Sequence, residues 1–485
     1  MAPQELILSA CSSDPSSSSA RQQAAPSIHL HDLLSSAPVQ QFKTSSSSAH
    51  SLGHVQTQNG QGGGIFAVQE GKAMLNMWAW QKDQMHSKLH LPEKLTCFTV
   101  SPNGFWAVGG SPNGQVYLWE LASGLLLASF TAHYRAVTSL SFTSDSHLLL
   151  STSLDSSTHI FLVSKLVDPE DPATAGKPYG SLTDHTLAVR GVGLGQTAGS
   201  AGGRCWTCSD DGTVKLWSLH PPFALLTTFS LPPSSTPTCL AIDPSERFFY
   251  VSTTQGDVYH IPLFRRKGGI GSGALESAGM DVDSGYEAVG GGGNGVAPIK
   301  TEGAVISIKT PITSLALSIS ATHLLVGTSE GTIQLYALPS HQHLRTLSPH
   351  AGPVAHLSTL LRPVDLVASS SASGAGLVSK ADQWPIMEVK AFERMKARSP
   401  QHTQEVTIRL QPSSMQARVD GLRPREKRSI GGQKGGDEKA QLEALLAENK
   451  KLKTALDKAG KINERMWNGI VDLRLAQSYD DADMS

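Results

Sequence analysis

A chain that repeats one turn-and-strand unit at a near-constant interval must stack its units side by side, because one unit cannot bury both of its faces alone. The clearest copy is Gly109 to Leu121, GGSPNGQVYLWEL. It reads as a β-turn feeding a strand in which Val116 and Leu118 alternate, closed by the pair Trp119-Glu120. Six further runs follow the same pattern: SIHLHDL (Ser27 to Leu33), LNMWAW (Leu75 to Trp80), HIFLVS (His159 to Ser164), VKLWSL (Val214 to Leu219), VYHIPL (Val258 to Leu263) and IQLYAL (Ile333 to Leu338). Uninterrupted copies lie about 40 residues apart, and the two large gaps each hold a Gly- or Pro-rich insertion. The count predicts seven units.

The unit resembles the close of a WD40 repeat. That resemblance implies an all-β chain, and with the count a seven-bladed WD40 β-propeller over residues 1–371; a flexible linker and a C-terminal α-helical coiled coil are expected to follow from the patterns described below. Glu5 to Ala10 (ELILSA) and Ile28 to Leu33 supply only about half of a first blade. The ring is therefore expected to close with a strand from the far end, and PVAHLS (Pro353 to Ser358) stands after the seventh repeat, in position to do so. Closure removes the open sheet edges.

Composition narrows the function classes. A formal net charge of -1 over 485 residues exerts no global pull on nucleic acid or a membrane surface, so any such contact must be local. No run approaches the roughly 18 apolar residues of a membrane span, and the N-terminus lacks the pattern of a secretory signal. A soluble, intracellular chain without membrane contact is expected. Five cysteines (Cys11, Cys97, Cys205, Cys208 and Cys239) are too few and too irregular for a disulfide framework. Cys205 and Cys208, three apart on a strand, point to opposite faces and are read as ordinary strand cysteines rather than metal ligands.

Two repeats carry a recurrent His, Ser and Asp. His133, Ser153 and Asp155 form one set; His185, Ser209, Asp211 and Trp217 form the fullest, and Trp119 supplies the indole of another repeat. The expected arrangement is a structural staple: Asp accepts from a loop backbone and from His, His bonds the hydroxyl, and the indole N–H reaches that same hydroxyl. The recurrence from repeat to repeat, and the absence of a Gly-x-Ser-x-Gly elbow, argue against a nucleophilic triad. No phosphate-cradling loop, metal cluster or cofactor motif appears, so no enzyme activity and no cofactor are expected. Other repeats have lost parts of the staple, with Phe161 for Trp, Asn113 for Asp, and Glu330 with Tyr336 in the last.

Residues 264–301 are so Gly-rich that a disordered loop is expected there. Arg265, Arg266 and Lys267 open it, as a solvated turn or a phosphate contact on RNA. Residues 372–437 read as linker. Within them Trp384 to Lys396 (WPIMEVKAFERMK) is apolar enough to be a docking peptide, and Arg423, Arg425, Lys427 and Arg428 form a basic cluster suited to nuclear import or nucleic acid. From 438 to 476 a three-four alternation picks out Leu442, Leu445, Asn449, Leu452, Leu456, Asn463, Met466 and Ile470, the seam of a helix that associates with another, expected to be a second copy ahead of a foreign helix, with its two Asn residues fixing register. An acidic tail, 477–485, ends the chain.

Taken together, Gly114 to Val137, Leu182 to Val189, Ile242 to Phe264 and Ala447 to Trp467 resemble the WD-repeat subunit of the Rix-type pre-ribosomal RNA-processing complex. The resemblance implies a non-catalytic nuclear scaffold, in nucleoplasm and nucleolus, acting in internal transcribed spacer removal and in maturation of the large ribosomal subunit precursor. The partners it implies are the other Rix-type subunits, the midasin AAA ATPase and the precursor particle, with a homodimer through the C-terminal helix and only indirect RNA contact. A WD40 substrate receptor or scaffold of a ubiquitin ligase or chromatin complex is the alternative from another class. No ligase-docking motif is evident at the rim.

Overall fold

The computed structural model describes residues 4–12, 27–43, 46–56, 62–167, 176–199, 203–233, 235–266, 286–288, 298–301, 303–366 and 386–395. Within them the chain forms the seven sheets of a β-propeller. Ordered from the axis outward, blade 2 is Leu52–Val55, Gly64–Val68, Met74–Ala79 and Ser87–His90. Blade 3 is Cys97–Val100, Trp106–Gly110, Gln115–Glu120 and Leu126–Thr131; blade 4 is Val137–Phe142, Leu148–Ser153, Thr158–Leu162 and Gly180–Leu182. Blade 5 is Val189–Leu194, Arg204–Ser209, Thr213–Ser218 and Leu225–Ser230; blade 6 is Pro237–Ile242, Phe248–Thr253, Asp257–Pro262 and Ile306–Ser307. Blade 7 is Ile312–Leu317, His323–Thr328, Ile333–Ala337 and His343–Leu347. All seven predicted copies are third strands of blades.

Blade 1 joins the two ends of the propeller. Its inner strand is Val354–Leu361, and Glu5–Cys11, Ser27–Asp32 and Pro38–Lys43 follow outward. The closing pair is antiparallel, with Ile7 opposite Thr359 and Leu8 opposite Ser358. The Ser12 amide donates to the Pro353 carbonyl. Leu6, Ile7 and Leu8 are fully buried.

Stability comes from the junctions between blades. Seven apolar clusters occupy the seven contacts between neighbours, for example Phe42, Trp78 and Trp80 between blades 1 and 2, and Trp206, Phe229 and Phe249 between blades 5 and 6. Each fully buried large apolar side chain contributes about 1.5–3 kcal/mol. Because both faces of a blade are covered, a middle strand such as Leu148–Ser153 is buried at every position instead of alternating. Cys205 joins the cluster facing blade 4 and Cys208 the cluster facing blade 6, on opposite faces of their strand. Burial pushes both thiols well up, so they are inert packing groups.

The stretch 264–301 departs from the expectation of a disordered loop at both of its ends. Phe264–Arg266 pairs with Tyr286–Ala288, and Ile299–Lys300 adds a fifth, parallel strand to the edge of blade 5. The glycine content concealed these short β-forming runs, whose pairing uses backbone groups that glycine does not remove. Residues 267–285 and 289–297 lie outside the described residues, as does the chain from 396 onward, with its basic cluster and heptad seam.

Candidate functional site

The staples stand at the turns between second and third strands. In blade 5 the turn after Ser209 needs a left-handed glycine, Gly212 (φ 75°), which leaves Asp211 aimed back at the preceding loop. One oxygen of Asp211 accepts from the Thr213 amide (2.9 Å) and hydroxyl (2.6 Å); the other accepts from His185 Nδ1 (2.9 Å) and the Thr186 amide (3.3 Å). In the neutral ring a donating Nδ1 leaves His185 Nε2 as an acceptor, to which the Thr207 hydroxyl donates at 2.8 Å. The lone pair left on Thr207 Oγ1 accepts the Trp217 indole N–H at 2.9 Å. Every polar atom of the set is satisfied. These bonds hold the Asp211 carboxyl well below the usual range against the opposing effect of burial.

Blade 4 repeats the plan without its indole. His133 Nδ1 lies 3.1 Å from Asp155, and Nε2 lies 2.7 Å from the Ser151 hydroxyl. Burial holds His133 below its ordinary value, and Asp155, bonded by Ser157 and the Tyr134 amide, is depressed as well. Phe161 occupies the tryptophan position and has nothing to donate.

Two of the predicted hydroxyls therefore have another job. Ser153 and Ser209 do not reach the imidazoles; Ser151 and Thr207, two residues earlier on the same strand face, do. Ser209 donates to the Leu187 carbonyl (3.0 Å) and accepts the Asp211 amide (3.2 Å), and Ser153 does the same with the Ala136 carbonyl and the Asp155 amide. They tie down the turns on which the staples stand.

Trp119 does not join a staple either. Gly109 pairs with Tyr117 as Thr207 pairs with Lys215, so blade 3 has a glycine where the staple needs a hydroxyl. Glu93 stands in for the histidine, accepting from Tyr117 (2.9 Å) and Asn113 (3.3 Å). The Trp119 indole donates instead to the Glu393 carbonyl at 3.0 Å.

One staple member escaped the sequence reading. His350 Nε2 lies 2.9 Å from the Ser9 hydroxyl in blade 1. The signal was a spacing: His133, His185 and His350 each stand four residues before a buried valine, Val137, Val189 and Val354. Its partner lies at the other end of the chain, where local pattern cannot reveal it.

Chemically, these imidazole-hydroxyl pairs are closed. Ser151 and Thr207 are fully buried, and His133 and His185 are 2% and 4% exposed, so no substrate reaches the hydroxyls. Among the described residues no group of His, Cys, Asp and Glu is disposed to hold a metal ion, and no helix is long and apolar enough to cross a membrane. Arg265 and Arg266 lie on the short strand Phe264–Arg266, with Arg265 opposite Glu287 in register. Lys267 lies outside the described residues.

The WD domain, G-beta repeat family matches residues 124–161 and 176–218, the segments that contain most of blades 4 and 5. The pre-rRNA-processing protein IPI3 of Yarrowia lipolytica is 31% identical, over 83% of this chain and 87% of its own length. The protein of the same name in Mycosarcoma maydis is 29% identical, with 88% of each chain covered. WD repeat-containing protein 18 of Homo sapiens is 27% identical over 63% of this chain and 64% of its own. On a propeller with WD repeats in sequence and staples in structure, that extent of similarity means that the chain belongs to the IPI3 family of WD-repeat pre-rRNA-processing proteins.

Proposed function

We propose that this chain is a non-catalytic scaffold subunit of a nuclear complex that processes pre-rRNA, removing an internal transcribed spacer and maturing the large-subunit precursor. The observation that carries the reading is likeness over almost the whole chain to proteins named for pre-rRNA processing. The closed staples support the non-catalytic part, because the recurrent His-hydroxyl constellation is spent on holding loops in place. On this reading the propeller loops bind the other Rix-type subunits, and the assembly brings the midasin ATPase to precursor particles. The heptad seam from Leu442 to Ile470 makes the chain a homodimer, and two linked modest sites gain avidity by orders of magnitude when both engage. RNA contact is indirect, with the basic residues Arg423, Arg425, Lys427 and Arg428 serving import into the nucleus.

Affinity purification of the tagged chain from nuclear extract, with mass spectrometry of proteins and sequencing of bound RNA, tests this. Rix-type subunits, midasin and spacer-containing precursor RNA are the expected yield. Recovery of ligase or chromatin subunits in their place would overturn the proposed role while leaving the propeller intact.

A further inference from the structure

Residues 386–395, IMEVKAFERM, do not belong to any blade, yet they are anchored on one. Met387 and Phe392 are 4% and 5% exposed and enter the apolar cluster between blades 2 and 3, with Val389 packed against it. The Phe392 ring stacks on Trp119, with centroids 5.2 Å apart and planes 17° from parallel. Tyr117 stacks on the same indole at 5.6 Å. Two backbone bonds fix the segment lengthwise: the Trp119 indole donates to the Glu393 carbonyl (3.0 Å), and the Glu393 amide donates to the Gly124 carbonyl (2.8 Å).

The groove is built for this contact. Gly109 removes the hydroxyl that would otherwise engage the blade-3 indole, and Leu95 takes the vacated space, since a Cβ on Gly109 would stand 2.3 Å from Leu95 Cδ1. Gly124 lies in the turn between third and fourth strands with φ 74°, and a Cβ there would stand 2.3 Å from the Ala391 carbonyl oxygen. A side chain at Gly124 would close the site, and one at Gly109 would displace Leu95. The turn at Gly124 lies at the end of the blade opposite the staples, while Glu388, Lys390, Ala391, Arg394 and Met395 remain exposed.

We propose that the face formed by Trp119, Gly124 and Leu126, the last buried in the same apolar cluster as Met387 and Phe392, is a peptide-recognition site specific for a segment with two apolar anchors five residues apart, and that this chain's own residues 386–395 occupy it. The segment is a strap: it buttresses the junction of blades 2 and 3 and fixes the point on the rim from which the chain continues past Met395. The specificity lies chiefly in Met387 and Phe392, the two side chains of the segment that are buried, because the two hydrogen bonds at Glu393 use its backbone, which any sequence supplies.

Hydrogen-deuterium exchange on the unaltered full-length chain gives the first reading. The Glu393 amide is expected to exchange at least tenfold more slowly than an unprotected amide, and exchange at the unprotected rate would overturn the proposal. A second measurement uses a fluorescein-labelled peptide spanning Trp384 to Lys396. The full-length wild-type chain should take up none of it, since the tethered copy competes at high effective concentration. The full-length double variant Met387→Ala, Phe392→Ala should bind it, and a peptide carrying the same two alanines should fail to bind. If the double variant melts cooperatively with an unchanged far-UV spectrum and still takes up no peptide, the groove is not a recognition site.

Discussion

One hydroxyl, that of Thr207, donates to an imidazole and accepts from an indole in a site without water access. Thr207→Val keeps the shape and orphans both partners, at about 1–3 kcal/mol for each buried group left unsatisfied. Urea unfolding should therefore show a loss of about 3 kcal/mol, against about 1 kcal/mol for Ser209→Ala, which removes only turn contacts. Equal losses would return the staple role to Ser209. That the sequence placed the hydroxyl two residues late has a simple cause: on a strand, positions two apart share a face, so both serines in Ser151-Thr152-Ser153 fit the pattern. Only the distance to the imidazole separates them. A second residue-scale prediction concerns acid. Burial lowers His31 to about 4, and burial with the neighbouring imidazoles of His29 and His31 lowers His350 to about 3. Unfolded, both titrate near 6.5, so above about pH 6.5 neither state is protonated and these groups leave stability unchanged. Between about 6.5 and 4 the unfolded chain alone takes up protons, and stability falls by up to about 1.4 kcal/mol per pH unit for each histidine. Asp155 and Asp211 act lower: their depressed values contribute stability above about 3.9 that is lost as pH falls toward the folded values. Melting curves collected from about pH 7 to 5 should shift steadily downward, and His31→Phe should flatten part of that slope.

At the scale of the strand, position within the blade decides what a substitution does. Leu360 on the closing strand is 1% exposed at the junction of blades 1 and 2, so Leu360→Ala should cost about 3 kcal/mol. Leu344, on the outer strand of blade 7, is 47% exposed, and its alanine variant should stay within about 0.5 kcal/mol of the wild type in the same denaturant titration. The third strands were legible because each follows a turn and alternates on a short period, down to the weak copy at Ser27 to Leu33. Ile299–Lys300 was not legible, because a two-residue edge strand is specified by the neighbour it pairs with, here Phe229 and Ser230, and carries no period of its own. The strap was legible as a docking segment but not as to its dock. The reason is that Gly109 and Gly124 act by the side chains they lack.

For the whole molecule, seven junctions close a ring whose ends are held by one strand pair, so the seven-fold architecture could be counted from the repeats while its closure rested on a pairing across the entire propeller. Deleting residues 438–473 should halve the particle mass in light scattering on the proposed dimer, and an unchanged mass would remove self-association from the function proposed above. Truncation before Val354 should have a different consequence. It leaves Glu5–Cys11 with an unpaired edge, and such edges aggregate, which size-exclusion chromatography reads as loss of the monodisperse peak.

The closing pair also imposes an order on biosynthesis. His350 finds Ser9 across 341 positions of chain. A growing polypeptide must therefore carry Glu5–Cys11 without its inner partner until Leu361 has left the ribosome, while blades 2 to 7, each built from consecutive strands apart from the insertion in blade 6 and the added edge strand of blade 5, can mature behind it. Nascent chains arrested short of Leu361 should remain protease-sensitive around Glu5–Cys11 and become resistant once Val354–Leu361 has emerged. Glu5–Cys11 would thus be made before the other strands of the propeller yet gain its inner partner last, which makes that strand the natural client of any chaperone that attends this protein during its synthesis.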